Sequence, residues 1–97
     1  MNIQLTDRRK FLDHLRADEE QYPLHFVGLL PRGTAAHVFE DDAIDLLAEK
    51  LPGLSLTSLT GAEITLSKRL RRPVGIVLKS ELRGREEKEV LAKAEAL

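Results

Sequence analysis

The chain contains no cysteine and no tryptophan. Without cysteine there can be no disulfide, no thiolate metal site and no thiol nucleophile. Three Phe and one Tyr among 97 residues are too few to build an aromatic platform for stacking nucleic-acid bases. No stretch approaches the roughly 18 apolar residues that cross a bilayer. The opening MNIQLTDRRKF also lacks the apolar run of a secretory signal. These absences lead us to expect a cytoplasmic protein with no membrane partner. Catalytic signatures are missing as well: the sequence has no P-loop, no G-x-S-x-G elbow and no H-E-x-x-H pair. We therefore expect a non-enzymatic protein with no cofactor and no metal.

What is present suits one folded unit spanning residues 1–97. Apolar residues make up 42% and charged residues 32% of the chain, which is enough for both a core and a solvated surface. Leucine supplies 18 of those positions. There is no internal repeat, low-complexity tract or linker.

The residue pattern predicts an α+β fold, with helices packed on an antiparallel sheet in the order α-β-β-α-β-β-β-α. A first helix runs from Thr6 to about Glu20 and stops at Tyr22-Pro23, because a residue before proline is pushed out of helical geometry. LHFVGLL (24–30) and AAHVF (35–39) flank a Pro/Gly turn and read as a hairpin. Acids at 40–42 followed by AIDLLAEKL predict a second helix over about 41–51, ended by Pro52-Gly53. From Leu54 to Lys79 the apolar residues fall on even positions, a period of two that predicts an antiparallel meander. The tail, 85–97, is rich in Ala and Glu and predicts a third helix.

Charge is unevenly distributed. Residues 1–67 carry six Lys/Arg against eleven Asp/Glu, and residues 68–97 carry nine against five. The basic residues Lys68, Arg69, Arg71, Arg72, Lys79, Arg83 and Arg85 form the main candidate surface for a partner or for phosphates. Asp41, Asp42, Asp45 and Glu49 form a candidate acidic partner face. Glu40, Asp41, Asp42 and Asp45 match no calcium loop, and their place at a helix start is explained by capping. The histidines (His14, His25 and His37) have no metal-ligand spacing and read as structural.

On these grounds the sequence predicts a small interaction or regulatory protein that binds a macromolecule, most readily another protein. The alternative is a nucleic-acid-binding regulator using residues 68–85. A second copy of the chain is a third candidate partner, since both faces of the first hairpin are apolar.

Overall fold

A computed structural model describes residues 5–35 and 42–97. Its elements are α1 (Leu5–Gln21), β1 (Leu24–Leu30), β2 (Ile44–Lys50), α2 (Leu56–Leu70), β3 (Val74–Leu78), α3 (Gly84–Lys93) and β4 (Glu95–Ala96), with a 3-10 turn at Lys79–Glu81. The strands form one sheet in the order β3-β2-β1-β4. β1 pairs antiparallel with β2 and with β4, whereas β2 and β3 run parallel. The α+β class is therefore as expected, but the sheet is mixed and not antiparallel throughout. The expected order holds through α-β-β-α-β. Beyond β3, a 3-10 turn, a helix and a two-residue strand replace the two further strands and closing helix.

The expected helix over 41–51 is instead the strand β2. Ile44 through Leu47 and Ala48 are all buried, because β2 lies inside the sheet with cover on both faces. Ile44, Leu46 and Ala48 join the main core with Phe11, Leu15, Phe26, Ala62 and Leu66. Leu47 points the other way, into a smaller cluster with Leu30 and Leu82, flanked by Val90 and Ala94. The apolar residues of β2, Ile44, Leu46, Leu47 and Ala48, fall on both faces of the strand and show no period of two, so the pattern fits a helix as well as a central strand.

The expected meander over 54–79 is mostly helix. Ser55 caps α2, its Oγ accepting the Ser58 N–H at 3.1 Å, which satisfies one of the free donors of the first turn. Leu59, Ala62, Leu66 and Leu70 then face the core, a spacing of three and four residues. Two members of the even-numbered set, Leu56 and Ile64, are 80% and 51% exposed. The period of two is thus a coincidence of side chains on opposite sides of a helix. The strand expected over 74–78 is present as β3. The third helix is also present, but it ends at Lys93, and the chain turns to add β4 to the sheet. The second strand of the expected hairpin falls on residues 36–39, outside the described residues, and Ala35 lies in a bend.

The edge of β3, and the part of β1 that the two-residue β4 leaves uncovered, are occupied by side chains from α1 and α2. On β1, Glu19 accepts the Phe26 N–H at 2.7 Å, and Arg16 donates to the Phe26 carbonyl at 3.3 Å. On β3, Glu63 accepts the Ile76 N–H at 2.7 Å and the Ser67 hydroxyl accepts the Val74 N–H at 3.1 Å. These bonds stand in for a neighbouring strand.

Candidate functional site: a cleft at the end of the sheet

β1 leaves the sheet where β2 enters it, so the carboxyl end of one strand lies beside the amino end of the other. The turn after β1 is closed by the Thr34 N–H bonding the Pro31 carbonyl at 3.2 Å. Gly33 occupies its third position with φ +92°, a backbone state that glycine adopts without steric cost. That turn delivers the Ala35 N–H to the Asp45 carboxylate, with N to Oδ2 at 3.2 Å.

Asp45 is only 1% exposed, and its Oδ1 has no hydrogen-bond partner among the described residues. It lines a cleft of about 250 Å³ walled by Leu29, Leu30, Pro31, Ala43 and Ile44. Lys93 and Glu95, from the end of α3 and from β4, complete the lining. A buried carboxylate oxygen left unbonded costs free energy, so this position is one where a ligand would improve the structure. The neighbours of Asp45 across the sheet are Leu30 on β1 and Gly75 on β3. Two residues earlier, on the same face, stands Ala43. The carboxylate therefore has no acidic neighbour on these strands, and no group of three or more His, Asp or Glu comes together among the described residues.

β4 forms its wall of the cleft by lying against Gly28 and Leu29. A Cβ on Gly28 would meet the Ala94 Cβ and the Glu95 carbonyl oxygen at 3.4 Å each, the near limit of ordinary contact, so β4 packs directly on this glycine. The segment is held from outside as well: Arg8 donates to the Ala96 carbonyl at 3.1 Å, and Leu97 packs on the main core.

The basic residues singled out in the sequence separate into two groups. Lys68 and Arg69 lie in the last turn of α2, and Arg71 is its left-handed cap with φ 56°. Arg72 donates from Nε to the Asp42 carbonyl at 2.7 Å, so this group sits at the cleft end of the sheet, where β2 and β3 both begin. Lys79, Arg83 and Arg85 come after β3, beyond five residues of strand that span roughly 17 Å. The acidic residues are dispersed too. Asp41 lies outside the described residues, Asp42 is exposed, and Asp45 is buried. Glu49 is at the far end of β2, 4.0 Å from Lys79. Sequence reasoning placed Asp45 on a solvated helix face. It missed the cleft because Lys93 and Glu95 come close only once β4 joins the sheet.

No protein-family model matches the chain, and no curated protein matches it in sequence. Solved structures do resemble it. A protein assigned as a minimal nucleotidyltransferase is 23% identical over 95% of this chain and 93% of its own, with a TM-score of 0.70. A chain from a toxin–antitoxin complex with AMP-PNP covers 91% of this chain and 69% of that one, at 15% identity and a TM-score of 0.64. The complex of a tri-AMPylated HEPN toxin of Shewanella oneidensis with its MNT antitoxin also contains a similar chain. That match is 15% identical over 97% of this chain and 71% of the other, with a TM-score of 0.66.

These likenesses show the fold alone: the chain shares it with the minimal nucleotidyltransferase and with the chains of the two toxin–antitoxin complexes. They correct the expectation of a non-enzymatic interaction or regulatory protein, because an assigned nucleotidyltransferase shares the fold. The absence of a P-loop or a nucleophile elbow excluded only those particular motifs, whereas this fold is recognised from how its strands and helices are arranged. Among the described residues no helix is long and apolar enough to cross a membrane.

Proposed function

We propose that the chain is an antitoxin-type protein of nucleotidyltransferase fold, which binds a toxin-type protein partner and takes a nucleoside triphosphate in the Asp45 cleft. Support for the partner comes from the two toxin–antitoxin complexes that share the fold. Those complexes also carry adenine nucleotide chemistry, as AMP-PNP in one and as AMP groups on the toxin in the other. The observation that carries the nucleotide reading is the buried Asp45 with one unbonded oxygen in a cleft between β1, β2 and β4.

A triphosphate brings Mg²⁺, which is held by one or two carboxylates together with the phosphate oxygens and retained water. Among the described residues, the acids that line the cleft are the buried Asp45 and the exposed Glu95, and together they would serve one such ion. They do not assemble a site for two ions, which needs several carboxylates held together. Bound there, Mg²⁺ would neutralise phosphate charge beside the carboxylate. The chain's own contribution is an apolar wall for the nucleoside, formed by Leu29, Leu30, Pro31 and Ile44, and a carboxylate with one oxygen fixed by the Ala35 N–H.

Isothermal titration of the full chain with ATP tests this reading. Binding is expected with Mg²⁺ and not with EDTA. Asp45→Asn keeps an acceptor for the Ala35 N–H but removes the charge, and it is expected to lower Mg²⁺-ATP affinity at least tenfold. No binding by the unaltered chain in Mg²⁺ would sink the reading.

A further inference from the structure

Among the described residues two carboxylates and one ammonium line the cleft, a net charge of −1 when all are ionised. A triphosphate cannot enter such a site on electrostatic grounds unless positive charge is supplied. Mg²⁺ supplies part of it near Asp45. The cation that lines the cleft among the described residues is Lys93, the last residue of α3, which is exposed and makes no salt bridge among them. The next three residues of the chain fix its position. Ala94 packs on the Leu30–Leu47–Leu82 cluster, Glu95 pairs with Leu29, and Ala96 is held by Arg8.

We infer that Lys93 is the phosphate-positioning residue of the cleft, carried there by β4, and that it selects nucleotides bearing a polyphosphate over the bare nucleoside. The inference rests on the nucleotide reading above. The apolar wall treats adenosine and ATP alike, because it meets only the nucleoside. Lys93 meets only the phosphates and is a compact point charge on a flexible stem. It acts by position and charge, and takes no proton.

The test is a pair of titrations, with Mg²⁺-ATP and with adenosine, on the full chain and on Lys93→Gln and Lys93→Arg. Lys93→Gln is expected to weaken Mg²⁺-ATP binding about tenfold or more, to leave adenosine within about twofold, and to flatten the salt dependence of ATP binding. Lys93→Arg is expected to restore most of the ATP affinity. Unchanged Mg²⁺-ATP affinity in Lys93→Gln overturns the role of the lysine while leaving the nucleotide reading intact. Equal losses for ATP and adenosine also overturn it, since they would mark a structural effect of the α3–β4 junction. No ATP binding by the unaltered chain overturns both.

Discussion

Asp18 shows how one side chain can set the pH response of the molecule. It is fully buried on α1, and neither carboxylate oxygen has a hydrogen-bond partner among the described residues. Burial pushes its pKa up from 3.8 to about 6, against the pull of Arg69 on α2 and with a small push from Glu19. The folded state thus holds this proton to a higher pH than the unfolded state does. Stability contributed by the protonated form is lost as pH rises from about 4 through about 6. Thermal unfolding should therefore show a lower Tm at pH 7 than at pH 5 for this contribution. Asp18→Asn removes the ionisation and is expected to raise Tm at pH 7 by about 5 °C, with a smaller gain at pH 5. A variant no more stable than the parent at pH 7 would contradict this assignment. Asp45 is also buried, but it differs in having one oxygen bonded to the Ala35 N–H and in lining a cleft.

The elements show where the residue pattern is informative and where it misleads. α1 and β1 are legible because Pro23 separates a polar helix from an apolar strand. β3 and the start of α3 are legible from alternation and from Ala/Glu content. α2 is not, because Thr57, Thr60, Ile64 and Thr65 disfavour a helix locally, and only the burial of Ala62 and Leu66 overrides that preference. β2 is not legible because its run is apolar on both sides. Paired substitutions separate the helix from the expected strand. Leu66→Ala should cost about 2–5 kcal/mol in urea unfolding, and Leu56→Ala less than about 0.5 kcal/mol, since one is fully buried and the other 80% exposed. Comparable losses at both sites would favour the strand. The covered edge of β3 gives another test at this scale. Glu63→Ala leaves the Ile76 N–H without its acceptor and should cost about 1–3 kcal/mol, while Glu63→Gln, which keeps an acceptor oxygen, should cost less. If the two variants lose stability equally, the carboxylate is not what closes that edge.

At the scale of the whole molecule, the cleft and the nearer basic group share one end of the sheet. The parallel pairing of β2 with β3 brings Val74 beside Ile44, and Arg72 ties the α2–β3 turn to Asp42. That arrangement depends on which strands pair, and no local pattern in the chain encodes it. Hence the class of fold can be read from the sequence, and the site cannot. Asp45 is far along the chain from Lys93 and Glu95, and its local pattern reads as that of a helix acid. We place nucleotide binding in this cleft. The most direct test is a ¹⁵N-HSQC titration of the full chain with Mg²⁺-ATP. Shifts are expected to cluster on residues 28–31, 43–46 and 93–96. Shifts confined to the distant basic group at Lys79, Arg83 and Arg85, or a spectrum that ATP leaves unmoved, would contradict it.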